Sequence, residues 1–541
     1  MEPHSYVWLL VVGALVAFAD GFGIGANDVA NSFSTSVGSR SLSLRQACGI
    51  AIFTEFFGAF LLGSNTAETI KGGIIKVTLF ADRPELLMLA MVCALVGSAS
   101  WVIFASSRGW PVSTTHSIVG AIIGVGISAF GWGGKFQDLN LAIDWSYGGV
   151  AKIITSWFVS PVVSGIIASG IFLGTKYLVL VYQDNSFQRG LVAVPIYFAI
   201  TICINVLYLV FKGAPGLHLD KLPPYAIVLI VLGATIIASS FSYFFYAQFL
   251  KRLIIGKETG LRWYHVFIIP CIRQPRYDNT ADNAVEKGTN NIEKQEGTEE
   301  NKIVQDVSSD DDSNNNKNIF QAGISIIGKK LLHGVNKEVA DHDAHNNQEM
   351  HDAAIKYDPD TERLYSFLQV LTASFASFAH GSNDVANAVG PLSVIYLIYE
   401  SGAVDVSGKT PVPIWVLALG GFAIDMGLIF YGYHVMRSLG NKITYHSPSR
   451  GFAMELGTSL TVLTASKIGL PVSTTHCITG ATAAVGLCNG NAKSLNWKLL
   501  GWCFFSWVLT LPVAATISGG IFAFASNAPS LHPEIAPAAI A

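Results

Sequence analysis

The chain has 541 residues, a mean hydropathy of +0.45 and only 13% charged residues. An ordinary soluble domain carries about 25% charge, so this composition excludes a cytosolic globular protein and belongs in lipid. The charge is also concentrated: 14 of the 34 Lys and Arg, and 19 of the 37 Asp and Glu, lie between Lys251 and Asp360. A net charge of −3 argues against a nucleic-acid partner. The seven cysteines, Cys48, Cys93, Cys203, Cys271, Cys477, Cys488 and Cys503, form no CxxC pair and mostly sit in apolar runs. They read as buried small residues, not as a disulfide framework or a zinc site.

A spanning helix needs about 20 mostly apolar residues. Runs of that kind lie near 5–31, 47–67, 86–108, 113–131, 147–182, 188–212, 223–250, 361–387, 412–436, 451–468, 473–489 and 496–526. The expected fold is an all-α polytopic membrane protein of about 12 transmembrane helices, some of them broken or re-entrant. The first run lacks a basic segment before it, which favours a signal-anchor over a cleaved signal peptide. The first basic residue is Arg40 and none follows Lys498, whereas the long connection opens with Lys251, Arg252, Lys257 and Arg262. Positive residues favour the cytoplasmic side, so both termini are expected outside and the long loop inside.

The domain reading is a membrane region over 1–250, a hydrophilic loop over 251–360, a second membrane region over 361–530 and an external tail over 531–541. The loop is rich in Asn, Asp, Glu, Ser and Lys. It cannot bury enough apolar surface to offset its ordering entropy and should be largely disordered. Ile319–Leu332 is the exception, a candidate short amphipathic helix.

The chain repeats itself. Gly25-Ala26-Asn27-Asp28-Val29-Ala30-Asn31 returns as Gly381-Ser382-Asn383-Asp384-Val385-Ala386-Asn387. Gly109-Trp110-Pro111-Val112-Ser113-Thr114-Thr115-His116 returns as Gly469-Leu470-Pro471-Val472-Ser473-Thr474-Thr475-His476. From Asp28 to Ser113 is 85 positions and from Asp384 to Ser473 is 89, so the pattern is a duplication. Seven predicted spans precede the second copy. The odd number predicts two inverted-topology repeats, an arrangement that serves alternating access in secondary transporters.

An Asp near the bilayer centre costs several kcal/mol unless it is paired or hydrated, so it is a functional candidate by default. Gly21, Gly23 and Gly25 precede the first motif, and each weakens a helix interior by about 1 kcal/mol. A helix break is therefore expected there. The oxygens of Asn27, Asp28, Asn31, Asn383, Asp384 and Asn387 would then meet a hard cation such as Na⁺. Pro followed by Ser and Thr before an apolar run is a helix start. Ser113, Thr114, Thr115, Ser473, Thr474 and Thr475 thus offer hydroxyls beside free N–H groups, a ready anion site. Neither motif holds Lys or Arg. The anion's charge must then be met by dipoles, hydroxyls and co-bound cations, which implies cation-coupled symport. Asp28 and Asp384 can accept a hydrogen bond from a protonated oxyanion, favouring phosphate over sulfate.

Glu55, Glu455 and Asp425 are further intramembrane acids that could bind a cation, carry a proton or gate a path. His116 and His476 read as satisfied helix histidines. Asp20 and His380 lack a counterpart in the other repeat and draw no assignment. A Ser-His-Asp hydrolase is disfavoured because every partner is duplicated and no nucleophile elbow occurs, so no enzyme is expected.

These paired motifs, with the Glu55 region and Gly451-Phe452-Ala453-Met454-Glu455-Leu456, resemble the inorganic phosphate transporter (PiT) family. The likeness covers about 1–250 and 361–530 and is closest to the fungal-type sodium–phosphate symporters. It implies twelve spans, external termini, phosphate between the repeats and Na⁺ coupling. It further implies Asp28, Asn27, Asp384 and Asn383 in cation and phosphate binding, the Ser-Thr-Thr runs as the phosphate cradle, and Glu55 and Glu455 as transport-essential acids. No cofactor is expected beyond co-transported Na⁺. The partners are phosphate, Na⁺ and the bilayer of the plasma membrane; a homodimer and regulatory proteins at the loop are further partners the reading admits. Proton coupling, another oxyanion, or phosphate sensing through the loop stand as alternatives.

Overall fold

Apolar runs in lipid must satisfy their backbone internally, and the helix does so within one segment. In this computed structural model the described residues are 2–130, 143–147, 149–182, 184–212, 222–258, 261, 263–269, 348–405, 410–439 and 442–527. Strand pairing among them is confined to two isolated bridges, Ile75 with Ile143 and Thr444 with Leu495. The helices are α1 (Val7–Asn27), α2 (Val29–Gly38), α3 (Leu44–Leu62), α4 (Ser64–Gly72), α5 (Pro84–Ser107), α6 (Thr114–Phe130), α7 (Val150–Thr175), α8 (Ser186–Lys212) and α9 (Pro224–Phe241). They continue as α10 (Ala247–Ile254), α11 (Gln348–Asp352), α12 (Pro359–Ser401), α13 (Ile414–Leu439), α14 (Pro448–Lys467), α15 (Thr474–Leu487) and α16 (Trp497–Asn527).

The chain divides into two compact units. Met1–Tyr243 with Leu331–Ala541 form the first and Phe244–Lys330 the second. Within the second, the Arg252 guanidinium donates to both Glu258 oxygens at 2.9 and 2.8 Å. Residues 270–347 lie outside the described residues, as do the expected disorder of the loop, the Ile319–Leu332 helix, Cys271 and the 531–541 tail.

Each of the twelve apolar runs carries helix. Among the described residues, however, eight stretches suffice by length and composition to cross a membrane: Val7–Gly38, Leu44–Leu62, Pro84–Ser107, Val150–Leu180, Ser186–Val210, Pro224–Ile254, Ile414–Gly432 and Trp497–Asn527. Of the rest, α6 with 17 residues and α15 with 14 are short, whereas α14 with 20 and α12 with 43 are long enough but carry more polar residues. The expected helix break also needs correction. The first Asn-Asp motif interrupts helix only at Asp28, which keeps right-handed backbone angles (φ −94°, ψ −22°), and the second lies inside the unbroken α12. The physical reason is that Gly25 lets two backbones touch. A Cβ there would stand 1.8 Å from the Ile424 carbonyl oxygen, and one on the matched Gly381 2.3 Å from that of Glu55.

The packing repeats with the sequence. α1 lies on α13 as α12 lies on α3, and α1 on α5 as α12 on α14. α5 packs on α6 as α14 on α15. The helix that follows each copy packs on the other copy: α7 on α14 and α15, α16 on α5 and α6. Gly109 (φ 68°) and Gly469 (φ 63°) adopt the left-handed conformation open to glycine after α5 and α14. Each turns the chain into Pro-Val-Ser and sets the start of α6 or α15.

Candidate functional site

Ser113 and Ser473 begin the two short helices by accepting from the backbone N–H of His116 and His476, each at 3.3 Å. The Ser113 hydroxyl also lies 2.6 Å from His116 Nδ1. These serines are therefore engaged with their own helices, and the threonines that follow face the acids.

Thr114 Oγ1 donates to Asp28 Oδ2 at 2.6 Å, and Thr475 Oγ1 donates to Asp28 Oδ1 at 2.9 Å. One carboxylate is thus held by a hydroxyl from each copy. Thr474 Oγ1 donates to Asp384 Oδ2 at 2.9 Å. Asn31 Nδ2 reaches Thr475 Oγ1 at 2.8 Å, and Asn387 Nδ2 reaches Thr114 and Thr115 at 3.2 and 3.4 Å. Thr115 itself donates to the Val472 carbonyl at 3.3 Å. All these side chains are buried, with Asp28 and Asp384 each 1% exposed.

Asn27 and Asn383 do different work from their neighbours. Asn27 donates to Ser106 Oγ and the Trp110 carbonyl at 3.0 and 2.9 Å, and its Oδ1 accepts from Val112 N–H at 3.2 Å. It fastens the end of α1 to the entry of α6. Asn383 donates to the Val472 carbonyl and to Asp384 Oδ1 at 2.8 and 2.6 Å. The Oδ1 atoms of Asn31 and Asn383 are buried without a donor. A buried acceptor left bare has the chemistry of a cation ligand.

His380 was passed over in the sequence and stands at the centre of the cluster. It sits one turn before Asp384, with Nε2 3.1 Å from Asp384 Oδ2 and Nδ1 2.6 Å from Glu55 Oε2. Ligand atoms of Asp28, His380 and Asp384 all lie within 4.8 Å of one another. Two carboxylate charges at that separation repel by about 3 kcal/mol at an effective dielectric near 20. A single hydrogen bond returns about 1 kcal/mol, so a positive charge between them decides the balance. The missed signal was the four-residue spacing of His380 and Asp384, which places both on one helix face.

Glu55 and Glu455 are not counterparts. Glu55 on α3 accepts from Ser377 at 2.7 Å besides its contact with His380. Glu455 on α14 accepts from Thr35, Ser36, Thr372 and the Gln369 amide at 2.5 to 3.2 Å. In the repeat packing Glu55 corresponds to Ile424 and His380 to Ile24, both buried in the apolar core. The position matching Glu455 is Leu95, also buried there. The central Asp–Thr cluster is duplicated, whereas each acidic flank exists once. Asp425 on α13 stays outside this network, its Oδ1 buried and unpaired, and both Asp20 oxygens are likewise buried and unpaired. His116 and His476 face each other at 4.6 Å between ring centroids, backed by Trp157 at 3.8 Å and Trp507 at 3.9 Å.

Residues 24–518, which hold both copies and every residue of this cluster, match the phosphate transporter family. The chain belongs to the phosphate transporter family. It is a membrane protein of a transporter family, not an enzyme. It is similar to the phosphate-repressible phosphate permease pho-4 of Neurospora crassa, at 37% identity over 98% of this chain and 99% of the relative. It is also similar to sodium-dependent phosphate transporter 1 of Mus musculus, at 32% identity over 96% of each. A solved structure titled "The sodium-dependent phosphate transporter" covers 96% of this chain and 99% of its own, with a TM-score of 0.67 and 29% identity.

Proposed function

We propose that this protein imports inorganic phosphate across the plasma membrane together with Na⁺, by alternating access between two inverted repeats. The observation that carries the reading is the approach of Asp28 and Asp384, ringed by threonine hydroxyls from both copies with no Lys or Arg among them. Such a site gains an anion only along with cations. Phosphate would sit at Thr114, Thr115, Thr474 and Thr475, with Ser113 and Ser473 setting the helix starts. Na⁺ would take Asp28, Asp384 and the bare Oδ1 atoms of Asn31 and Asn383, while Asn27 and Asn387 position the threonine helices. The Glu455 carboxylate with the oxygens of Thr35, Ser36 and Thr372 is a second place for a small dehydrated cation.

A protonated phosphate donates to Asp28 or Asp384, whereas sulfate has no proton to give. The matched packing of α1 on α13 and α12 on α3 supports two copies related by a twofold axis, and the odd count of preceding apolar runs supports their inversion. The names of the similar proteins support sodium as the driving ion. Both termini outside and the 251–360 segment inside follow from the placement of basic residues.

A second reading is favoured by one observation. The imidazole of His380 stands between two acids, hydrogen-bonded to Glu55 through Nδ1 and with Nε2 3.1 Å from Asp384 but not hydrogen-bonded to it, and histidine is the side chain suited to carrying protons near neutral pH. Uptake of labelled phosphate by proteoliposomes separates the two. Uptake driven by an inward Na⁺ gradient at equal pH supports symport with Na⁺; uptake driven only by a pH gradient overturns it in favour of protons.

A further inference from the structure

Arg450, the third residue of α14, has no exposed surface. Its Nη2 donates to the Ile355 carbonyl at 2.7 Å and to Asn489 Oδ1 at 2.6 Å. Phe172, Tyr357 and Tyr445 surround it, their ring centroids 5.2 to 5.6 Å from the guanidinium carbon. Among the described residues no carboxylate pairs with it within 4.0 Å. Glu362 accepts from the Ser449 N–H and hydroxyl at 2.9 and 2.8 Å and meets the guanidinium only through its field, without a hydrogen bond to it. Arg450 Nε and Nη1 have no acceptor, and the Tyr357 hydroxyl, also buried, has no partner.

A desolvated guanidinium is strongly penalised unless an anion meets it. The aromatic rings offset part of that penalty but accept no N–H bond of ordinary strength. The surplus is one-sided, three unused donor groups grouped around a fixed positive charge. Arginine with a phenol beside it is the donor set that recognises tetrahedral oxyanions.

The position is informative. Arg450 precedes Glu455 by five residues, about 7 Å along the helix at 1.5 Å per residue. Asn489 follows α15 at the end opposite Thr474 and Thr475, so the guanidinium stands about 20 Å from those hydroxyls by the same rise. Ile355 and Tyr357 lie in the stretch that leads from the hydrophilic insert into α12. The site therefore joins the far ends of the three helices that carry Asp384, Glu455 and the second threonine pair. The corresponding position of the other copy is Ala90, buried on α5, so the matched place in the first copy carries no charge.

We propose that Arg450 and Tyr357 form a second oxyanion site, a way station for free phosphate at the end of the molecule where the insert joins α12. The choice of phosphate as occupant rests on the transport reading above; the presence of an oxyanion site does not. The station needs no cation, because Arg450 already supplies the charge.

The test is equilibrium binding of labelled inorganic phosphate to the full chain, purified in detergent without phospholipid, with and without Na⁺. The account expects two components, one Na⁺-dependent and one Na⁺-independent, each near one per chain. Asp28→Asn should remove the first and spare the second. Arg450→Gln should remove the second, and Tyr357→Phe, which keeps the ring, should weaken it about fivefold, as one lost hydrogen bond predicts. Absence of the Na⁺-independent component in the wild type would overturn the proposal, as would its persistence unchanged in both Arg450→Gln and Tyr357→Phe. A soluble inositol phosphate that binds at Arg450 where free phosphate does not would replace the way station by a headgroup site. Loss of only the Na⁺-dependent component in the wild type would instead refute the transport reading and leave Arg450 standing.

Discussion

Asn31 Nδ2 lies 2.8 Å from Thr475 Oγ1, although 444 residues separate them in the chain. The matched pair, Asn387 and Thr115, meets at 3.4 Å. Each copy of the duplicated motif therefore steadies a threonine of the other, and the cluster exists only where the copies interlock. Thr475 in turn donates a hydrogen bond to Asp28, so the asparagine sets the direction of a hydroxyl that the carboxylate uses. Asn31→Ala and Thr475→Ala should each weaken phosphate binding about five- to tenfold, near the value of one buried hydrogen bond. The double variant should lose clearly less than the product of the two, because the residues act as one unit. Additive losses in a double-mutant binding cycle would show that they work separately.

Glu455 is held by four donors and has no acidic counterpart in the other copy. Glu455→Gln keeps the shape and removes the charge. Uptake should fall by about tenfold or more, as expected for losing an intramembrane charge at a cation site, with folding retained. The check is the Na⁺ dependence of the residual uptake, which should shift to higher Na⁺ or disappear. Leu95→Glu, placing an acid at the matched position, should not restore it, since Gly13 and Leu392 stand where the donors would be needed.

The α1–α13 contact is backbone against backbone at Gly25. Gly25→Ala would press a methyl onto the Ile424 carbonyl and should lower stability by about 1–3 kcal/mol or prevent folding. Gly49→Ala on α3 meets nothing within 4 Å and serves as the control, with a small gain from helix propensity. Thermal unfolding of both variants in detergent compares them directly, and an equal Tm for Gly25→Ala and the wild type would refute the close-approach argument.

His446 lies in the loop between α13 and α14, and burial first, then His351 and Arg450, push its imidazole down to about 3. The unfolded value is near 6.5. The folded state thus binds the proton more weakly, and the stability this gives is fully present above pH 6.5 and lost as the pH falls toward 3. At pH 5 the loss attributable to His446 should be about 2 kcal/mol. His446→Asn should remove that part of the slope between pH 7 and 5, measured by thermal unfolding. An unchanged slope would mean that His446 titrates normally.

Much of this was legible in the sequence, because a duplication prints its motifs twice. The two Asn-Asp runs and the two Ser-Thr-Thr runs converge as their spacing implied, and the buried acids are in the core. Four features were not legible. His380 and Glu55 have isoleucine in the matched positions, so a search for repeated residues passes over the histidine. The glycines before Asp28 looked like helix breakers, but Gly21 and Gly25 are covered by α13 and Gly23 by α5, and packing outweighs the propensity of about 1 kcal/mol each. The exchange of α7 and α16 between the copies depends on contacts across hundreds of residues, which periodicity along one helix does not record. Arg450 reads as a flanking charge until α12, α15 and three rings close around it.

The central claim is that Asp28 and Asp384 bind Na⁺ and phosphate as one unit, and it is tested most directly by phosphate affinity as a function of Na⁺. Labelled phosphate is titrated onto the purified full chain at fixed ionic strength, with K⁺ replacing Na⁺ step by step, for the wild type, Asp28→Asn and Asp384→Asn. The account predicts that the Na⁺-dependent affinity of the wild type rises steeply with Na⁺ and that neither variant shows the rise, while both keep the wild-type Tm within a few degrees. High-affinity phosphate binding at the threonines that is indifferent to Na⁺, or a Na⁺ response that survives in both variants, would contradict it.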